Sequence, residues 1–201
     1  MRLARPGRTE IAEAILGFIG RIPSTAEIRS DAPVDRARSI AAAAAAKAAI
    51  TAGSLALPPG PLGWLTILPE LVAIWKIQTK MVADIAGAFG QKAFLTREQM
   101  IYCLFRHTAA QAVRDLVVRV GERFLVRRVS LRSTRAIAEK VGVRVTQRAI
   151  GKGVARWLPI VGALGVAGYA YYDTAQVART AIDLFQREIE TESAERPRED
   201  A

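Results

Sequence analysis

The sequence predicts an all-α fold: a single helical bundle with two apolar hairpins punctuated by glycine and proline, and no sheet. Three observations predict it. Apolar residues recur at helical spacing along most of the chain. The hydrophobic fraction is 51% but aromatics are only 6%, so the apolar content is mostly Ala, Val, Ile and Leu, which favour close helix packing. The one stretch that alternates in the manner of a strand, Val141-Gly142-Val143-Arg144-Val145, has no partner strand in the sequence, so helix is preferred there. At 201 residues the chain suits one domain with a real core. The expected organisation is a basic tail over 1–8, a helical domain over 9–190 and a disordered polar tail over 191–201.

Each element has its own local signals. Residues 9–20 place Ile11, Ala14, Ile15, Phe18 and Ile19 on one helical face and end in Gly20. Ser24 and Glu27 have capping-box spacing, but Ala32-Pro33 opposes a helix running on through that point, and a start near Asp35 fits better. The Ala-rich run Ile40 to Ile50 then carries a helix to about Gly53, and Leu57-Pro58-Pro59-Gly60-Pro61 forces a turn. Leu62 to Phe89 reads as a long helix broken or started at Pro69 and closed by Gly87 and Gly90. Glu70 is placed for its N-terminus, where the dipole stabilises a carboxylate. Thr96 is a candidate N-cap for a helix to about residue 119, and Ser130 or Ser133 can start another. The last helix is expected from about Pro159 to Glu190.

Charge is concentrated. Between Arg97 and Arg156 stand fourteen Lys and Arg against four Asp and Glu, a surplus of ten that equals the net charge of the whole chain. Lys140, Arg144, Arg148, Lys152 and Arg156 recur every four residues and would form a cationic ridge on one side of a helix, and Arg119, Arg123 and Arg127 repeat the pattern as a second row. Like charges at this spacing destabilise an isolated helix, so an anionic partner is expected to offset them. A solvated face accounts for the same pattern. A pI of about 10.5 also permits nucleic acid, but the block has few interleaved aromatics and no zinc-finger, RNP or helix-turn-helix signature, which disfavours it.

Two uncharged stretches, 48–69 and 157–172, flank the basic block. The first is long enough to span a bilayer but contains four prolines, and Leu158 to Tyr172 would make a helix of about 22 Å, short of the roughly 30 Å hydrocarbon thickness. A shallow or re-entrant hairpin is the expected membrane geometry, with Trp64, Trp75, Trp157, Tyr169, Tyr171 and Tyr172 at headgroup level. The same small-residue helices equally suit the core of a tightly packed bundle.

Motifs for chemistry are sparse. A single cysteine excludes an internal disulfide framework and a Cys-based metal site, in keeping with a reducing compartment. Glu10 and Glu13 interrupt the apolar run after the basic Met1 to Arg8, so no secretory signal is expected. Gly151-Lys152-Gly153 lacks P-loop spacing. Cys103 and His107 have the spacing of a thiolate–imidazole pair, but their apolar neighbours favour a packed thiol and a satisfied imidazole. Asp173 lies mid-helix and, if buried, needs a partner such as Arg156 or Arg179; docking or a relay is its other reading.

The run Leu57-Pro58-Pro59-Gly60-Pro61-Leu62-Gly63 leading into a helix, the later Trp157-Leu158-Pro159-Ile160-Val161-Gly162-Ala163, Asp173, and the helix Ala181-Ile182-Asp183-Leu184-Phe185 resemble the bacterial EcsC family over about residues 36–190. The pattern is similar, too, to the helical membrane domain attached to some bacterial GTPases. The resemblance implies an all-helical, membrane-associated accessory protein with no catalytic residue to carry over; the arginine density of 119–156 departs from the family. On this basis Pro59, Gly60, Pro159, Gly162 and Asp173 are expected to be structural, as is Glu70 from its place at a helix N-terminus. The function expected is a non-enzymatic helical protein, without cofactor or metal, that binds the anionic cytoplasmic face of a bacterial membrane, with a membrane-protein partner or self-association allowed. The alternative is a soluble helical adaptor whose basic face binds an acidic protein or nucleic acid.

Overall fold

The protein is described by a computed structural model covering Glu13, Leu16 and Gly17, and residues 22–56, 67–114, 116–121, 123–128, 130, 133–140, 142–143, 159–187 and 189–192. Of the first expected helix, those three described residues are helical. Residues 22–32 form no helix. Thr25 Oγ1 instead accepts from the Glu27 amide at 3.0 Å and donates to Asp84 at 2.5 Å.

Helix α1 is Pro33–Leu55. Pro33 opens it because the first turn needs no donor there, and Asp35 favours the same turn. The face it buries is alanine: Ala37, Ala45, Ala48 and Ala52. Small side chains let α1 lie very close to the last helix, where a Cβ on Gly53 would stand 3.3 Å from Ala167 Cβ. Helix α2 is Ile67–Ala88. Pro69 sits in its first turn and starts rather than breaks it. It ends in a Schellman turn: Gly90 has φ +75°, its amide bonds Gly87 O at 2.8 Å, and the Gln91 amide reaches Ala86 O at 2.7 Å. After a 3₁₀ turn at Lys92–Phe94, helix α3 spans Arg97–Val113 behind a complete capping box. There the Gln99 amide donates to Thr96 Oγ1 at 3.3 Å, and the Thr96 amide donates to Gln99 Oε1 at 2.7 Å.

Two expectations fail at the end of α3. The helix stops at Val113 instead of continuing to about residue 119, and Ala109 already departs from helical geometry at φ −140°, ψ 48°. The expected absence of a sheet is also wrong. Strands β1 (Val117–Val120) and β2 (Arg123–Arg127) form an antiparallel hairpin that pairs Val117 with Val126 and Val120 with Arg123. Gly121 turns it at φ +60°. Strand β3 (Ile189–Glu192) adds in parallel on the other side of β2, giving the order β1-β2-β3. A residue spacing of four returns to one face of a helix and also to one face of a strand, so the arginine repeat is compatible with both. The β-branched and aromatic residues on either side of Gly121 decide for the hairpin. A partner strand is then supplied from the far end of the chain.

Helix α4 covers 133–140, with helical geometry again at 142–143. Ser130 caps it: its hydroxyl accepts from the Ser133 amide at 3.2 Å, and its carbonyl accepts from the Thr134 amide at 2.9 Å. Helix α5 is Pro159–Gln186 and stops short of the expected Glu190, because Ile189 and Glu190 belong to β3. The expected disordered tail begins at Thr191, yet Thr191 and Glu192 also pair in β3.

The helices bury two separate apolar clusters. The larger joins the inner faces of α2, α3 and the C-terminal half of α5 with the sheet, through residues such as Met81, Ile101, Phe105, Val126 and Phe185. The smaller consists of Ala48, Ala52, Ala56, Ile74, Ala163, Val166 and Ala170, where the end of α1, the start of α2 and the start of α5 meet.

Candidate functional site

That smaller cluster brings the two uncharged stretches of the sequence together at one end of the bundle. Large apolar side chains face outward at that end and along the first half of α5: Ile50 is 72% exposed and Leu164 68%, and half-way along α5 Tyr172 is 59% and Tyr171 48% exposed. Leu164, Gly168 and Tyr172 stand at four-residue spacing along an exposed strip of α5 that carries no charge. Scattered exposed apolar residues are ordinary, but all four of these belong to the two helices that pack through the small alanine-rich cluster.

The remaining expected interface residues fall differently. Trp75 is buried, with its ring edge-on to Phe105 at 5.7 Å between centroids, and so presents no ring to a surface. Tyr169 is half-buried. Trp64 and Trp157 lie outside the described residues, as do Pro59 and Gly60 and the ridge members Arg144, Arg148, Lys152 and Arg156. Pro159 opens α5 and Gly162 lies in its first turn, while Glu70 is buried in the first turn of α2.

The basic residues do not converge on the apolar end. Arg119, Arg123 and Arg127, expected as one helical row, lie on the hairpin. Arg123 and Arg127 share a face of β2, and Arg119 pairs across to Phe124 on the opposite face. Strand β3 follows α5 directly, so β2 lies beyond the C-terminal end of a 28-residue helix whose other end holds Leu164. From Leu164 to Gln186 that helix runs about 33 Å at roughly 1.5 Å per residue. Lys140 is exposed on α4 and lines a cleft of 620 Å³ with His107, Thr108 and Gln111 beside the kink in α3.

Next to that kink sits a polar cluster of the bundle interior. His107 Nε2 is 2.8 Å from Asp173 Oδ1 and 2.9 Å from Thr108 Oγ1, and Gln78 Nε2 donates to Asp173 Oδ2 at 2.9 Å and to Thr174 Oγ1 at 3.2 Å. Asp173 thus has His107 and Gln78 among its partners; Arg179 is exposed, and Arg156 lies outside the described residues. The cluster ties α2, α3 and α5 at one level. His107 Nδ1 is buried with no hydrogen-bond partner among the described residues. Cys103, one turn before His107, is fully buried, and burial pushes its thiol far above the ordinary range, so it is held protonated. The sequence singled out Cys103 and Asp173 but missed Gln78, because a glutamine inside an apolar run leaves no trace until its partner on another helix is known.

A further concave site lies on the seam of α1 and α2. It measures 430 Å³, and its lining carries the cations Arg36, Lys47, Lys76 and Lys80 with the carboxylates Glu27 and Asp84. Neither family models, nor curated proteins, nor solved structures match the chain.

Proposed function

We propose that the protein is a non-enzymatic helical accessory protein that docks on an anionic membrane surface through the apolar end of its bundle. The observation that carries this is the set Ile50, Leu164, Tyr171 and Tyr172, exposed on the two uncharged stretches that pack together in the small cluster. Such residues gain free energy on entering the acyl boundary, and tyrosine hydroxyls stay at headgroup level. Among the described residues no helix is long and apolar enough to cross a membrane, and the proposal is of association with one leaflet. The motif likeness to the EcsC family points the same way. A cytoplasmic-face location in a bacterium belongs to the same proposal.

The test is co-sedimentation with lipid vesicles of neutral phosphatidylcholine, with and without anionic lipid. The wild-type protein is expected to pellet with both, more strongly with the anionic lipid. The triple variant Ile50→Ser/Leu164→Ser/Tyr172→Ser should lose at least about tenfold in partitioning, since each side chain withdraws apolar area from the acyl boundary. A wild-type protein that stays in the supernatant while binding DNA or an acidic protein in a salt-dependent way would replace this reading with the soluble adaptor.

A further inference from the structure

The groove on the α1/α2 seam combines three features. Its cations are not equally committed. Arg36 is paired with Glu27, its Nε donating to Oε2 at 3.2 Å, and Lys80 is paired with Asp84, whereas Lys47 and Lys76 have no carboxylate partner among the described residues. Its floor is apolar, with Ala43 and Ala44 of α1 facing Ile77 and Met81 of α2; the alanines leave the space that larger side chains would fill. Finally, its unpaired end adjoins the small apolar cluster. Lys47 is three residues from Ile50 on α1, and Lys76 is two residues from Ile74, which belongs to the small apolar cluster.

Two uncompensated ammonium groups over an apolar floor recognise a compact anion attached to something greasy. A nucleic-acid strand offers a run of phosphates and bases, whereas this groove has unpaired cations at one end only, the pairs Arg36–Glu27 and Lys80–Asp84 along the rest, and no aromatic lining on which bases could stack. The geometry points to a binding site for the phosphate of one glycerophospholipid, held between Lys47 and Lys76 with its glycerol and upper acyl chain along Ala43, Ala44, Ile77 and Met81. This rests on the docking reading for its biological setting. It also replaces the hairpin arginines as the cationic part of docking, since they sit at the far end of α5.

The site is tested without a membrane by titrating dihexanoyl phosphatidic acid, kept below its micelle concentration, into the full chain and following backbone amide shifts. Saturable shifts centred on residues 36–47 and 76–84 are expected. They should weaken about thirtyfold in Lys47→Ala/Lys76→Ala, because each cation beside an anionic headgroup is worth about a fivefold change. Both lysines are exposed on helices that alanine favours, so the fold should persist, and Lys47→Arg/Lys76→Arg should retain binding. The proposal is overturned by an absence of saturable binding, by equal binding in the alanine variant, or by shifts centred on Arg123 and Arg127. Inorganic phosphate that competes as well as the short-chain lipid overturns the assignment to lipid. If short-chain lipid binds as expected and vesicles of every composition fail to pellet the protein, the groove stands and the docking reading falls.

Discussion

At the scale of single residues, Asp173 shows how a charge is accommodated inside an alanine-rich bundle. One carboxylate oxygen is used by His107 and the other by Gln78, so truncating any of the three leaves part-buried polar groups without these hydrogen bonds. Asp173→Ala is expected to destabilise the protein by about 2 kcal/mol and His107→Ala by about 1–2 kcal/mol. In urea unfolding the double variant should cost less than the sum of the two; strict additivity would mean the contact carries no energy. Cys103 gives a pH dependence whose sign is fixed by its environment. Burial raises the folded thiol above its ordinary value of 9.0, so its stabilising effect is full below about pH 9 and is lost as pH rises toward the folded value. Tyr102 adds in the same direction, because burial raises its hydroxyl against a smaller opposing effect of Arg106. Thermal unfolding followed from pH 8 to 10.5 should show a falling midpoint, and the fall should be shallower in Cys103→Ala.

At the scale of elements, the boundaries set by local chemistry were legible and those set by distant partners were not. Thr96 and Ser130 act as caps because their hydroxyls reach amides three residues on, a relation contained in a short stretch of sequence. The hairpin was mistaken for helix because the spacing of Arg119, Arg123 and Arg127 fits both periods, and because β3, which completes the sheet, lies more than sixty residues beyond β2. Gly87 reads from the sequence as a helix stop and, with Ala83, as a small-residue packing position, and contact is what the structure shows. A Cβ there would lie 2.8 Å from Glu27 Cβ and 3.0 Å from Glu27 O, so α2 needs glycine to let residues 22–30 lie against it. Gly87→Ala should therefore destabilise by about 1–3 kcal/mol, even though alanine is the better helix former by about 1 kcal/mol. Its signature would be faster hydrogen exchange at the Ser30 amide, which bonds Ala88 O at 2.9 Å.

At the scale of the whole molecule, the separation of apolar end and hairpin reorganises the electrostatic argument. With about 33 Å of α5 between Leu164 and Gln186, several Debye lengths at physiological salt, arginines beyond the helix's far end contribute little to docking through the near end. Charge reversal in Arg123→Glu/Arg127→Glu is thus expected to change vesicle partitioning by less than about twofold, while the triple variant at Ile50, Leu164 and Tyr172 lowers it strongly. A large loss on charge reversal would show that the hairpin itself meets the membrane. The net charge of +10 still governs long-range attraction to any anionic surface and the salt dependence of encounter.

The sequence alone determined the helical character, the cap at Thr96, a further start at Ser130 or Ser133, the start of α1 near Asp35, two residues inside the observed Pro33, and the end of α2 near Gly90. Each follows from propensity, periodicity or backbone geometry within a few residues. It also marked the two uncharged stretches as special. Only the tertiary structure decided that these stretches meet, that Asp173 finds His107 and Gln78, that Trp75 is core, and that three arginines belong to a sheet. Those outcomes depend on which surfaces of distant elements come into contact. Neither periodicity nor composition encodes that choice, since a small apolar face or a spacing of four serves several partners equally well.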